Sequence, residues 1–293
     1  MKSILSLKGI TKKYKSFTLG AIDCEIPCGF STALIGANGA GKTTLLNILS
    51  GILAQTDGSM RFFDKYDSVD SSDVRNAVGY CSANNFFPLG WSAKNISRSM
   101  SVAFDNFSAE RFAELCKEFG LATEKEKPKP LSMLSDGNKM RLSLAAILAR
   151  STDLLMLDEP ASSLDPLMRD TLCDKFRQYI AEGDGERSIL FSTHNIADME
   201  YATDYAIYMH NGKIIEQGFV EELKEKYRIV HGSGSLLKEL EPFMLSVQGN
   251  ATSFEGIALS EKQIYLSSYD VAVESPTLQQ LSVGILRAAE ASK

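Results

Sequence analysis

The sequence predicts an α/β fold: a parallel β-sheet with helices on its faces, an inserted helical subdomain, and a small α+β extension at the C-terminal end. Three observations predict it. Ser31-Thr32-Ala33-Leu34-Ile35 reads as a short buried strand, then comes the glycine-rich Gly36-Ala37-Asn38-Gly39-Ala40-Gly41-Lys42-Thr43-Thr44, then the helical spacing of Leu45, Leu46, Ile48 and Leu49. Two further apolar runs, Leu154-Leu155-Met156-Leu157 and Ser188-Ile189-Leu190-Phe191-Ser192, bracket a helical stretch at residues 167–181, which is the order of a parallel βαβ unit. Between these two regions, residues 84–150 lose the strand pattern and carry helical periodicity instead.

In chain order, Ile4-Leu5-Ser6-Leu7 and Phe17-Thr18-Leu19-Gly20-Ala21-Ile22 read as strands before the glycine-rich loop, and Val78-Gly79-Tyr80-Cys81 as one after it. The helical block has two periodic stretches, 104–119 and 139–150; in the second, Met140, Leu144, Ile147 and Leu148 share a face. The charged Glu124-Lys125-Glu126-Lys127-Pro128-Lys129-Pro130 between them reads as loop. Glycine and charge at residues 221–234 suggest a boundary. Beyond it, residues 243–247, 254–259 and 263–267 read as strands. A last helix is expected with Ser275 as N-cap, Pro276 in its first turn, and Leu278, Leu281 and Ile285 on one side.

Composition narrows the function classes. The 293 residues are 44% hydrophobic and 23% charged, ordinary for a globular protein with a real core. A net charge of −6 does not favour nucleic acid as a partner. The first eight residues do not read as a signal peptide. No apolar run approaches the ~20 residues of a membrane span; residues 142–149 are cut off by Arg141 and Arg150. Cys24, Cys28, Cys81, Cys116 and Cys173 show no paired metal spacing, and their odd number argues for reduced thiols.

The chemistry lies in the loop at 36–44 and the end of the second apolar run. Glycines let backbone N–H groups curl around an anion, and the helix start adds its own free donors. Lys42 is suited to reach outer phosphates and Thr43 to place a hydroxyl on Mg²⁺. A glycine-rich turn with an unrelated lysine is the competing reading; the strand before and helix after argue against it. The run 154–157 ends in Asp158-Glu159. Asp158 is placed to hold Mg²⁺ through its water shell, and Glu159 to orient or deprotonate an attacking water, against the alternative of a merely solvated acidic turn.

Leu134-Ser135-Asp136-Gly137-Asn138 resembles the Leu-Ser-Gly-Gly-Gln signature of ABC-type ATPases. Ser162-Ser163-Leu164-Asp165 resembles their D-loop, Ser192-Thr193-His194 their switch-histidine loop, and Tyr14 the aromatic that stacks on adenine. With the phosphate loop and acidic strand, these occur in the family's order across residues 1–228. The resemblance implies an α/β P-loop NTPase core of the ABC ATPase type at 1–228, with its helical subdomain at about 84–150, and an accessory domain at 229–293. It implies ATP and Mg²⁺ as cofactors. The nucleotide would be held by Tyr14, Gly36, Ala37, Asn38, Gly39, Ala40, Gly41, Lys42, Thr43, Thr44, Ser135, Gly137 and Asp165, the metal by Thr43 and Asp158, and catalysis would rest on Glu159, His194 and Lys42.

In that family Ser135 and Gly137 face the γ-phosphate held by a second subunit, so ATP would join two chains, a homodimer being favoured, with Asp165 along the seam. As a simple helix cap, Ser135 has an alternative role, and Tyr14 could be a strand-edge tyrosine. His210 and His231 lack such context. The resemblance further implies a separately encoded membrane permease, a cytoplasmic chain peripheral on the membrane through that permease, and the ABC-2 exporter group, most like bacitracin-efflux and YtrB-like ATPases. Alternatives are a soluble ABC ATPase acting on nucleic acid or ribosomes, a P-loop kinase, and an ATP-gated subunit with weak hydrolysis. Three positions depart from the pattern. Ala83 stands where the family carries a glutamine, with Asn84 and Asn85 beside it. Asn138 replaces the signature glutamine. Asp136, beside a triphosphate, is expected to point outward. Trp91 and Phe86-Phe87 read as packing residues, at the place where the family docks its membrane partner.

Overall fold

The computed structural model describes residues 2–82, 87–121 and 129–291. Ala83, Asn84, Asn85 and Phe86 lie outside the described residues, as does most of the charged connector. The chain runs β1 (Ser3–Lys13), β2 (Thr18–Pro27), β3 (Ser31–Ile35), α1 (Lys42–Leu49), β4 (Asp57–Phe62), α2 (Ser72–Ala77), β5 (Val78–Ser82), α3 (Ala93–Ala103), α4 (Ala109–Glu118), α5 (Asp136–Leu148), β6 (Leu154–Asp158) and α6 (Pro166–Ala181). It continues with β7 (Ser188–Thr193), β8 (Tyr205–His210), β9 (Lys213–Phe219), α7 (Val220–Lys226), β10 (Tyr227–Ser233), α8 (Leu237–Leu240), β11 (Ser246–Gly249), β12 (Ser253–Leu259), α9 (Gln263–Leu266), β13 (Val271–Glu274) and α10 (Leu278–Ala291).

A six-stranded sheet in the order β5-β6-β7-β3-β8-β9 forms the centre. Its first five strands are parallel, and β9 pairs antiparallel with β8. Strands β3, β6 and β7 are buried along their whole length, as a sheet covered on both faces requires. Side chains alternate between two cores. Leu34, Leu154, Met156, Leu190 and Ile207 pack with α1 and with the antiparallel sheet β2-β1-β4. Ile35, Leu155, Leu157, Phe191 and Tyr208 pack with α3, α4, α5, α6 and α10. Helices α1 and α5 therefore lie on opposite faces of one sheet.

Four strands in the order β11-β12-β10-β13 form the C-terminal sheet. Val230, Leu240, Phe254, Ala258 and Leu266 give it a small core of its own. Tyr227, Ile229 and Ile257 instead join the main core with Leu278, Leu281 and Ile285 of α10.

Several local expectations are corrected. The stretch 104–119 is not one helix: Phe104 ends α3 in an extended conformation, and Ser108 starts α4 by accepting the Arg111 N–H at 3.1 Å. Helix α3, rich in serine, buries Ile96 and Met100 one turn apart. Residues 263–267 form a helical turn rather than a strand, closed by Ser267 N–H on the Gln263 carbonyl, with Leu266 buried and Ile264 facing solvent. Phe243 belongs to the 3₁₀ turn Glu241–Phe243, so the strand there begins at Ser246. The last helix is capped by Thr277, not Ser275. Its Oγ1 accepts the Gln280 N–H at 3.1 Å, while Gln280 Oε1 accepts the Thr277 N–H at 3.0 Å. A reciprocal pair of this kind outcompetes a lone serine two residues upstream.

Candidate functional site

The loop 36–44 joins β3 to α1, at the C-terminal end of the parallel strands where such sheets place their ligands. Its glycines are sterically required. A Cβ on Gly36 would stand 2.4 Å from the Met209 carbonyl oxygen, and Gly41 has φ +105°. Ala40 is tied on both sides, its N–H to the Ala37 carbonyl and its carbonyl to the Gly212 N–H.

Lys42 opens α1 with its side chain only 6% exposed. Its Nζ donates to the Gly36 carbonyl at 2.7 Å and the Ala37 carbonyl at 3.3 Å, and lies 3.5 Å from Glu159 Oε1. Burial pushes the Lys42 pKa down, and the Glu159 carboxylate opposes that shift. The next residue, Thr43, donates from Oγ1 to Asp158 Oδ2 at 2.8 Å. Because side chains alternate along β6, Asp158 shares the α1 face with Leu154 and Met156.

Glu159 leaves the strand at φ +52°, a left-handed conformation uncommon outside glycine. Its N–H donates to Ser192 Oγ at 2.9 Å, and the same hydroxyl lies 2.5 Å from Asp158 Oδ1. Its Oε2 is 2.8 Å from His194 Nδ1. One carboxylate thus meets the buried ammonium with one oxygen and the half-exposed imidazole with the other. The arrangement brings Lys42, Thr43, Asp158, Glu159 and His194 to one place. It offers donors to a phosphate, a base to a water, and two hard oxygens that suit Mg²⁺, a cation that keeps waters and takes phosphate oxygens for its remaining positions.

Ser135, Gly137 and Asp165 form a second cluster. Ser135 is the N-cap of α5 and accepts the Asn138 N–H at 3.3 Å. Gly137 packs so closely on the Ser163 carbonyl that a Cβ would approach to 2.7 Å. Asp165 caps α6 through the Met168 N–H at 3.1 Å and pairs with Arg141 Nη2 at 2.5 Å. Asp136 points outward, 87% exposed and 2.9 Å from Lys139. The start of α5 therefore presents a serine hydroxyl and helix N–H groups, held against the loop 162–164.

Tyr14 lies half exposed on the turn between β1 and β2, its N–H on the Phe17 carbonyl at 2.8 Å. Phe17 packs against the phosphate loop, its Cζ 3.1 Å from where a Cβ on Gly41 would stand, and the Tyr14 ring lies 6.4 Å from it between centroids. Phe17 and Arg141 are neighbours that the sequence motifs do not include, and Ser192, which opens the Ser192-Thr193-His194 motif, has no role of its own there. Ser192 alone left a signal, a serine in an apolar run that is buried on both faces.

The family model for ABC transporters matches residues 19–162. A Methanosarcina mazei relative, itself assigned only provisionally as an ABC transporter ATP-binding protein, is 30% identical over 79% of this chain and 52% of its own length. This chain therefore spans about half of that relative. The lantibiotic transport ATP-binding protein SrtF of Streptococcus pyogenes is 31% identical over 72% of this chain and 89% of that protein. The bacitracin transport ATP-binding protein BcrA of Enterococcus faecalis is 27% identical over 78% and 73%. Among solved structures, cbiO1 from Clostridium perfringens, part of the ABC transporter complex cbiONQ, matches with a TM-score of 0.61 and 25% identity, over 83% of this chain and 96% of that one.

Proposed function

This chain belongs to the ATP-binding proteins of ABC transporters, and from that premise we propose that it hydrolyses ATP at the interface of two such chains to drive a separate membrane permease, as an exporter. The observation that carries the proposal is the Glu159 carboxylate between Lys42 and His194 at the mouth of the phosphate loop.

In this reading the loop N–H groups and Lys42 hold the β- and γ-phosphates. Glu159 accepts a proton from the attacking water as its oxygen bonds to the γ-phosphorus and the bond to the β-γ bridging oxygen breaks, leaving ADP and phosphate. His194 holds the γ-phosphate and water in line. Thr43 and Asp158 would hold Mg²⁺, which neutralises phosphate charge when bound. Tyr14 would cover the adenine, with Phe17 as the inner ring.

The second subunit is proposed because the two anion-binding helix starts, α1 and α5, lie on opposite faces of one sheet. A nucleotide on the loop of one chain would meet Ser135 and Gly137 of another, with Asp165 at the seam. The permease is proposed to dock at an apolar cleft of about 360 Å³ beside β5, the outermost strand of the sheet among the described residues, lined by Ile52, Val69, Val78, Phe87, Met100 and Phe104. Ser82 at the end of β5 pairs in register with Asp158, so movement at this edge reaches the metal ligand. Among the described residues no helix is long and apolar enough to cross a membrane, which supports attachment through that partner.

The exporter assignment draws on the lantibiotic and bacitracin transport relatives. Residues 1–228 and 229–293 are proposed as the two domains, the boundary falling inside β10 and the extension sharing the main core. Glu159→Gln tests the chemistry: turnover should fall at least about a hundredfold with ATP still bound. Equal turnover of mutant and wild type would remove Glu159 as the base.

A further inference from the structure

We propose that Ser192 is a positioning residue that locks the metal-binding and water-activating carboxylates into one geometry. It lies in β7 between β6 and β3, in register with Asp158 on one side and Leu34 on the other. Its side chain shares the α1 face with Leu190, Leu34 and Met156, where packing alone would call for an apolar residue. It is fully buried.

A hydroxyl has one proton to give and two lone pairs to receive. Ser192 gives its proton to Asp158 Oδ1 at 2.5 Å and receives the Glu159 N–H at 2.9 Å. Both bonds land on consecutive residues that point different ways. Asp158 is then fixed from two sides, by Ser192 on Oδ1 and by Thr43 on Oδ2. The turn after it is fixed at both ends too: the Glu159 N–H is held by Ser192, and its carbonyl accepts from Ser162 N–H at 3.2 Å and Ser162 Oγ at 2.9 Å.

Glu159 needs this support because its backbone is left-handed, a conformation that persists for a non-glycine residue only when its surroundings enforce it. The left-handed bend aims the carboxylate at Lys42 and His194 rather than along the strand. Ser192 also stands two residues before His194 on the same chain. One hydroxyl therefore joins the end of the acidic strand to the strand that carries the histidine.

The inference rests on the reading of Asp158 as metal ligand and Glu159 as base. Its test compares Ser192→Ala and Ser192→Thr with wild type in the full chain, with thermal melting to confirm that each is folded. Ser192→Ala should lower kcat about tenfold, leave KM for ATP within about twofold, and raise the Mg²⁺ concentration for half-maximal turnover. Binding of a fluorescent ATP analogue in EDTA should match wild type, and amide exchange at Glu159 should quicken. Ser192→Thr, which keeps the hydroxyl, should recover most of the rate; if it does not fold, Ser192→Cys, a weaker donor, should fall between Ala and wild type. A Ser192→Ala protein with wild-type kcat and wild-type Mg²⁺ dependence overturns the proposal. So does a Ser192→Ala loss of EDTA binding equal to its loss of turnover, which would mark a general structural role. Glu159→Gln, run in parallel, reports separately on the reading beneath: wild-type turnover there removes Glu159 from the chemistry, while the Mg²⁺ dependence of Ser192→Ala still reports on Asp158.

Discussion

Gly36 shows how tightly single residues are specified at this site. Its Cα faces the Met209 carbonyl of β8, and any Cβ would meet that oxygen at 2.4 Å, backbone against backbone, with no flexible side chain to yield. Gly36→Ala should therefore destabilise the fold by about 1–3 kcal/mol and weaken ATP binding, both read by denaturant titration and nucleotide fluorescence. Wild-type values for both would mean that the loop can move away from β8. The residues with fixed spacing were legible in the sequence for this kind of reason. A loop that wraps a phosphate must have glycine where backbone crowds or turns left-handed, and lysine and threonine just after, so the spacing carries the chemistry. Phe17 was not legible as a site residue, and Ser192 was legible only as the start of the motif before His194, without its bonds to Asp158 and Glu159, because one ring in a turn and one hydroxyl in an apolar strand have no spacing rule. Their roles come from register with β6 and from closeness to Gly41.

Among the elements, α10 connects the extension to the region that follows His194. Its first N–H donates to Glu200 Oε1 at 2.9 Å, and Ser282 Oγ lies 3.1 Å from Tyr208 Oη. Leu278, Leu281 and Ile285 pack into the main core with Ile196 and Met199, which follow His194 directly. Leu281→Ala should cost about 2–5 kcal/mol in denaturant unfolding, as a fully buried leucine does. A loss below 0.5 kcal/mol, expected of surface positions, would show that α10 is not part of the same body. Strands β3, β6 and β7 of the central sheet were readable because burial on both faces leaves continuous apolar runs, whereas β8 and β9 were not read from the sequence. Helix α3 was not readable, since only Ile96 and Met100 of its residues are buried and most of the others are polar. Residues 263–267 misled for the opposite reason. A five-residue run of mixed character fits a strand or a helical turn, and only the burial of Leu266 with Ile264 exposed decides for the turn.

For the whole molecule, the proposal of a second subunit rests on the two faces of the central sheet. Helix α1 and its phosphate loop sit on one face, while α5 with Ser135 and Gly137 sits on the other, held there by Ser163 and by Arg141 on Asp165. If both helix starts bind anions, as proposed, a chain that places them on opposite faces of one layer would need a second copy to bring them to one nucleotide. In the proposed head-to-tail pair each phosphate loop would meet the partner's α5, and two sites would form.

The direct test is complementation between two inactive chains, Lys42→Ala and Ser135→Arg. Each alone should turn over little ATP, because every site in either homodimer lacks one half. Mixed in equal amounts, half the pairs combine one of each, and one of their two sites joins an intact loop to an intact α5, so activity should return to about a quarter of wild type if sites act independently. Wild-type turnover by Ser135→Arg alone, or no recovery on mixing two folded proteins, would contradict a site shared between chains.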